Sequence, residues 1–443
     1  MKDNRPEFRL STDVLVVGSG AAGLAAAVTA ARQGFKVLVL ERYGFSGGGA
    51  VAGLSGTVCG LFLASENPDA PPQRLVHGFV DEFLEQMERR NGISEPVKYG
   101  NTYTLVHDPL VWRETADGLL REAGVHTLYH THVTDVLVED DTRITGVIAY
   151  TKQGKLRVDA RITIDASGDG DLAAMAGFPT FSSKNGVVQN PTMIFRLQGV
   201  DVDRFLKRYG DNSVLLGEVV ELIKQANASG KYDLPRSKAF LFPTPRPGQL
   251  LCNCTRIIGR DGRELNPMVA EDLSEAEFQG RLQVREYERF FRDFLEGCEN
   301  AYVLDTGVQV GIRQSRQIQG VATLNNTDVV AGTKFRSGIA RSAWPIEQHA
   351  GAVPKLEWLF GDYYEIPYEC FVPEFGESLL AAGRCLSAES QAMASARVTA
   401  QCFSYGHAIG HAAAIALNDG LAPRQIDPLQ IRDAVNKDGA QLG

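Results

Sequence analysis

The chain has no basic excess. Its 45 Lys and Arg residues are outnumbered by 54 Asp and Glu, a formal charge of -9, whereas a protein that neutralises nucleic-acid phosphates carries a positive balance. Nucleic acid is therefore not an expected partner. Cysteine is scarce: the seven residues at 59, 252, 254, 298, 370, 385 and 402 are odd in number and scattered. That pattern excludes a secreted disulfide framework and points to a reducing cytoplasm. The first ten residues lack the apolar core and small-residue cleavage site of a signal peptide. No membrane span is expected, because the longest uncharged stretch, 44 to 65, is interrupted repeatedly by glycine. No repeat, low-complexity tract or linker stands out. What remains is 443 residues with 44% apolar and 22% charged content, a mixed globular chain of two or three domains.

Asp13-Val-Leu-Val-Val17 is an apolar, β-branched run, as expected of a strand buried on both faces of a parallel sheet. A glycine-rich turn follows, then an Ala-rich helix from 21 to 33, a stop at Gly34, and a second strand from Lys36 to Leu40. This is a βαβ unit. Strands are expected at 136–138, 145–150 and 156–164, the last two joined by a Gln153-Gly154 hairpin turn. After Gly177-Phe-Pro the texture changes, with Pro191, Pro235, Pro243, Pro245 and Pro247 between short strands. Ser274 to Glu299 reads as a helix whose Phe278, Leu282, Phe290, Phe291, Phe294 and Leu295 form the packed face. Strand texture returns at Leu379 to Gly383, and a small-residue helix at 395 to 417.

Gly18-Ser-Gly20-Ala-Ala-Gly23 follows a strand and opens a helix, the context a dinucleotide fingerprint requires. The first glycine permits the tight turn, the second lets the backbone approach a pyrophosphate, and the third lets helix and strand pack closely. Glu41, at the end of the next strand, is placed to accept from ribose hydroxyls. This unit alone does not separate NAD from FAD. Asp165-Ala-Ser-Gly168-Asp169 ends a later apolar strand in a small acidic turn suited to a ribityl or phosphate group. Arg397-Val-Thr-Ala-Gln401 leads into a helix whose N-terminus can stabilise negative charge on a reduced flavin.

Together the glycine fingerprint with Glu41-Arg42, the turn at 165 to 169, and Ala382-Gly-Arg-Cys385 resemble the glutathione-reductase-like FAD fold. More narrowly, Gly311-Ile-Arg313-Gln-Ser-Arg316-Gln-Ile-Gln-Gly320 and Ile366-Pro-Tyr368 are similar to a subgroup of bacterial FAD-dependent oxidoreductases. That subgroup is distantly similar to the flavoprotein subunits of fumarate reductase and succinate dehydrogenase. The resemblance implies an α/β fold: a Rossmann-like FAD-binding domain with a β-meander and an inserted mixed α+β substrate domain. The expected segments are 1–180, 181–375 and 376–443. It implies FAD as cofactor, with contacts from Gly18, Gly20, Ala22, Gly23, Glu41, Arg42, Gly48, Gly49, Val133, Ala166, Gly168, Asp169, Gly383, Arg384, Arg397, Val398 and Gln401. Cys59, in the glycine-rich segment after Glu41, is a further contact and a candidate covalent tether.

Departures from that pattern narrow the reading. A second glycine fingerprint in a strand-helix context is lacking, so a dedicated NAD(P)H domain is not expected, and no C-x-x-C pair is present. Cys252-Asn-Cys254 lies on a strand, and the alternation of strand faces speaks against a redox pair. The His and Arg arrangement that binds dicarboxylate in fumarate reductases is not evident. Candidate catalytic residues are Arg313 and Arg316, which on a helical turn would share a face and clamp a carboxylate or neutralise reduced flavin; equally, they would pair with core acids at the domain junction. Trp344-Pro-Ile-Glu347-Gln-His349 supplies an aromatic wall, a carboxylate and an imidazole, with His349 the leading acid–base candidate. Tyr364, between Tyr363 and Tyr368, can bring a phenol to the ring. His407 and His411 have metal-binding spacing, but without a third ligand in the sequence no metal is expected.

The expected function is hydride transfer between a small organic substrate and flavin N5, with electrons passing to oxygen or another acceptor. Two alternatives stay open: a flavin-dependent monooxygenase and, in another class, an FAD-binding scaffold or RNA-modifying partner. A homo-oligomer also stays open.

Overall fold

The computed structural model describes residues 7–182, 189–348 and 355–443. The chain opens with β1 (Glu7–Val17), α1 (Ala21–Arg32) and β2 (Val37–Leu40), followed by β3 (His126–Leu128), β4 (His132–Glu139), β5 (Arg143–Thr151) and β6 (Gly154–Asp165). These strands form one sheet in the order β3-β2-β1-β6-β5-β4. The β3-β2-β1-β6 part is parallel, and β4-β5-β6 is an antiparallel meander. Side-chain alternation along β1 explains its apolar run. Val14 and Val16 meet the helical layer, whereas Leu15 and Val17 meet Val136 and Val147 of the meander.

The second sheet is antiparallel, made of β7 (Phe195–Gln198), β8 (Val214–Leu215), β9 (Ala239–Pro243), β10 (Gln249–Asn253) and β11 (Tyr302–Thr306) in the order β8-β9-β10-β7-β11. A 25-residue helix, α2 (Ala270–Phe294), covers one face. Leu241, Leu250 and Cys252 point toward it and pack with Tyr287, Phe290 and Phe291. Phe240, Phe242 and Leu251 point the other way, toward Leu54, Tyr99 and Trp344. The helix runs slightly earlier than its periodicity suggests, and Phe278 and Leu282 are each 60% exposed rather than packed. The buried stripe instead follows Ala276, Gly280, Val284 and Tyr287, because small Gly280 is what admits Met193 and Ile257. The strand-face argument about cysteine also needs correction, since residues two apart share a face. Cys252 and Cys254 are both buried in the second core, and both are free thiols.

β12 (Leu379–Ala381) returns to the first sheet and pairs in parallel with the end of β6. The small-residue helix is broken: α3 (Ser390–Ala396) stops and α4 (Thr399–Asp419) begins anew, leaving Arg397-Val398 between them. A Cβ on Gly406 would sit 2.0 Å from the Ala22 carbonyl oxygen, so only glycine lets α4 lie directly on α1. The chain ends in α5 (Pro428–Lys437), packed on α4. Residues Leu324, Ile339, Ile366 and Phe371 lie in the same core as α1. Among the described residues no helix is long and apolar enough to cross a membrane.

Candidate active site

A cavity of about 470 Å³ lies between the two sheets, and sixteen of the proposed cofactor contacts line it, from Gly18 to Val398. Its first end is made of backbone. Gly18 has φ +95°, and a Cβ there would lie 2.4 Å from the Ala166 carbonyl oxygen. A Cβ on Gly23 would lie 2.0 Å from the Gly18 oxygen, and one on Gly48 2.9 Å from the Gly20 Cα. Two glycine loops thus meet where no side chain fits, and peptide groups line the cavity. The N-terminus of α1 has no side-chain cap and no acid in its first turn, so its positive end is left for an anion.

Glu41 is 4% exposed and fixed by donation from Ser19 N (2.7 Å) and Tyr43 N (2.9 Å). Burial raises its pKa above the ordinary carboxyl range, against the pull of those donors. This uncapped helix, the glycine cradle and the oriented carboxylate fit the pyrophosphate and ribose of a dinucleotide.

The turn after β6 divides its acids. Asp165 is wholly buried and accepts from Ser167 N (3.1 Å), Ser167 Oγ (2.6 Å) and Leu172 N (2.9 Å), so it shapes the turn from beneath. Asp169 does not line the cavity; it accepts from Arg384 Nη2 (3.0 Å) and Ser315 Oγ (2.6 Å), tying β12 to the turn. Burial opposes ionisation of Asp169, but these two partners outweigh it and hold the carboxyl below its usual range.

Three further expectations are redirected. Residues 312–316 form no helix, so Arg313 and Arg316 do not share a face. Arg313 lines the cavity, while Arg316 donates to the Asp169 carbonyl (3.0 Å) and to Asp171 Oδ1 (2.6 Å). Tyr364 is fully buried away from the cavity, sharing a 2.7 Å hydrogen bond with Ser395 Oγ. Gln401 clamps backbone instead of lining the cavity, donating to the carbonyls of Gly60 (2.9 Å) and Arg341 (3.2 Å). His349 lies outside the described residues. Cys59 lines the cavity beside Thr57 and Thr104, and burial pushes its pKa up to about 11. It is therefore a thiol at neutral pH, poorly suited to attack a flavin.

The inner end is built of charge. Arg313 is 7% exposed and donates to Asn190 O (2.7 Å) and Asn253 Oδ1 (3.3 Å). Buried Arg236 donates to the same Asn253 Oδ1 (3.2 Å) from behind. Arg397, at the break before α4, donates to Gln189 (3.2 Å), and its buried Nε has no partner among the described residues. The buried carboxylate of Glu347 accepts from the Tyr99 hydroxyl (2.7 Å), and its charge acts on the Arg236, Arg313 and Arg397 guanidinium groups. Burial first, then the neighbouring Arg236 and Arg397, push the Arg313 pKa down to about 9. An arginine in such surroundings stays charged at neutral pH and gains from an added anion.

Sequence reasoning passed over Tyr99, Arg236 and Asn253. Asn253 had one usable signal: lying between two buried cysteines on a strand, it must face the other way.

The sequence profile of the FAD dependent oxidoreductase family matches residues 13–435. Protein FixC of Bradyrhizobium diazoefficiens is 27% identical over 213 residues, 46% of this chain and 48% of FixC. Thiamine thiazole synthase of Aeropyrum pernix is 33% identical over 139 residues, 31% of this chain and 44% of the synthase. The chain spans about half the length of the curated relatives it matches. Among solved structures, a geranylgeranyl bacteriochlorophyll reductase-like protein from Thermoplasma acidophilum superposes with a TM-score of 0.51 at 15% identity, covering 97% of this chain and 83% of that one. At that identity the likeness is one of fold.

Proposed function

The chain belongs to the FAD dependent oxidoreductase family, and on that premise we propose that this flavoenzyme oxidises or reduces a small organic anion at the arginine-lined end of its cavity. FAD, held by the glycine loops, Glu41 and the turn after β6, supplies a two-electron acceptor or donor. The observation that carries the substrate class is the set of buried guanidinium groups, Arg313 and Arg397 in the cavity wall with Arg236 behind them, electrostatically coupled to one another and to the Glu347 carboxylate. Arg313 and Arg397 line the cavity and orient a substrate carboxylate by charge-assisted hydrogen bonds, while Arg236 positions the Asn253 amide. Glu347, also in the wall, takes or returns the substrate proton, with its orientation fixed by Tyr99. His349, two residues on, is the second candidate for that role. Trp344 and Phe242 close the aromatic side.

Within the family, the segment from Gly311 to Gly320 and Ala382 to Cys385 supports placement in the bacterial subgroup distantly similar to fumarate reductase flavoproteins. The 1–180, 181–375 and 376–443 organisation enters as a proposal too, with the second sheet as the roof over the substrate. A cytoplasmic location is supported by seven free cysteines.

The test is anaerobic bleaching of the flavin by small carboxylic acids and by their amides or alcohols of the same skeleton. Bleaching confined to the acids is expected, with the acid's affinity falling on the order of 10²-fold in Arg313→Met. Bleaching by the neutral compounds alone, indifferent to Arg313, overturns the reading. Under air, NAD(P)H consumption with oxygen entering the product would move the assignment to a monooxygenase.

A further inference from the structure

We propose that His407, His411 and Asp438 form a binding site for one divalent transition-metal ion of the zinc class, which fastens α5 to α4 far from the flavin chemistry. The three ligand atoms lie within 4.8 Å of one another. His411 Nε2 is 2.8 Å and His407 Nε2 3.1 Å from the same Asp438 Oδ2. Tetrahedral coordination at ordinary zinc bond lengths separates ligand atoms by about 3.3 Å, so the two His–Asp separations need to open by a few tenths of an ångström, and the two imidazole nitrogens, within 4.8 Å of each other, turn inward to meet the ion.

The local structure brings these residues together for separate reasons. His407 and His411 are four apart on α4, hence one turn apart on one face, with ring centroids 5.2 Å apart. Asp438 is the C-cap of α5 and arrives only because α5 packs back on α4. Both imidazoles are buried, with side chains 4% and 6% exposed, and the Phe79 ring restricts His407 at 6.4 Å. The Asp438 side chain is 47% exposed, which gives an ion a route in and a water a place to complete the shell.

The nearby cation Arg32 does not compete for the Asp438 carboxylate, being paired bidentately with Glu82 at 2.7 Å on each arm. α4 enters the flavin cavity at Thr399. At 1.5 Å per residue, the two histidines stand about 12 and 18 Å further along it, so the ion would act on packing.

The test uses the FAD-loaded protein, stripped with a chelator and dialysed against zinc, with bound metal counted by mass spectrometry. One equivalent is expected in the wild type, with a rise in the thermal midpoint of at least about 2 °C. Both should be lost in His411→Gln. Asp438→Asn, at a half-exposed cap, keeps shape and a hydrogen-bond acceptor and serves as the second variant if the first does not fold. Cobalt in place of zinc should give ligand-field bands beside the flavin spectrum in the wild type and none in Asp438→Asn. Wild type binding no more zinc than the variants overturns the proposal and leaves a hydrogen-bonded bridge between two helices.

Discussion

At the dinucleotide end of the cavity, Gly18, Gly20, Gly23, Glu41 and Gly48 come from one short stretch of chain and act largely through backbone. At the inner end, Tyr99, Asn253, Arg313, Glu347 and Arg397 come from five separate segments and act through charged or polar side chains. The first end has little room for a side chain at Gly18, Gly23 or Gly48, where an added Cβ would lie within 3.0 Å of other backbone. At the inner end three guanidinium groups share little solvent, and each depends on the others and on Glu347. On the proposed function, the first end holds the cofactor that every substrate needs in common, and the second discriminates among substrates.

That contrast can be broken most severely at Gly23. Gly23→Ala forces a methyl group into the Gly18 carbonyl, and flavin content of the purified protein should fall at least about tenfold, with a loss of stability of about 1–3 kcal/mol. Retention of full flavin content would show that the loop yields where the geometry says it cannot. The opposite phenotype is expected at the inner end. Glu347→Gln keeps the shape and the Tyr99 hydrogen bond, so flavin stays bound while the bleaching rate with an active acid falls by about 10²–10⁴. An unchanged rate, together with loss of activity in His349→Asn, would transfer the proton role to His349.

Acid offers a third probe, on the side of the glycine loops. His107 is 2% exposed against Trp112, whose ring borders Gly47. Burial lowers the His107 pKa from 6.5 to about 4. The folded-state value lies below the unfolded one, so the unfolded chain takes up the proton first. The stability associated with the neutral ring is complete above pH 6.5 and is lost as pH falls, by about 3 kcal/mol once pH reaches 4. Chemical denaturation of His107→Phe at pH 7 and pH 4.5 should lack that decline; an equal decline in the variant would assign it to other groups. The smallest effect is expected at Tyr364→Phe. It should cost about 1 kcal/mol, through the bond to Ser395, and leave bleaching kinetics unchanged. A kinetic effect would return this phenol to the active site.

The legible part of the site was local. The glycine fingerprint, the acid that follows it and the small turn at 165–169 each declare themselves within a few residues, whereas the break at 397–398 lay inside a stretch expected as one helix. Arg313 was legible as a candidate, but its pairing with Arg316 was not. The spacing of three suggested a helical face, whereas the segment is extended and sends Arg316 to Asp171. Tyr364 sat in a suggestive place in the sequence and turned out to support Ser395. The metal-ligating spacing of His407 and His411 was visible, but its third member lies 27 residues beyond His411, at the end of another helix.

By itself the sequence determined that this chain folds around a βαβ unit, and it marked the candidate dinucleotide cradle, because those features are built from hydrogen bonds and contacts between near neighbours in the chain. The tertiary structure alone decided what stands opposite that cofactor. Asn253 faces the cavity because its strand buries Cys252 and Cys254 on the other side. Glu347 meets Tyr99 because Phe242 and Leu251 of the second sheet pack in one cluster with Tyr99 and Trp344. Buried charge is placed by packing between distant segments, and no local pattern in the chain encodes that meeting.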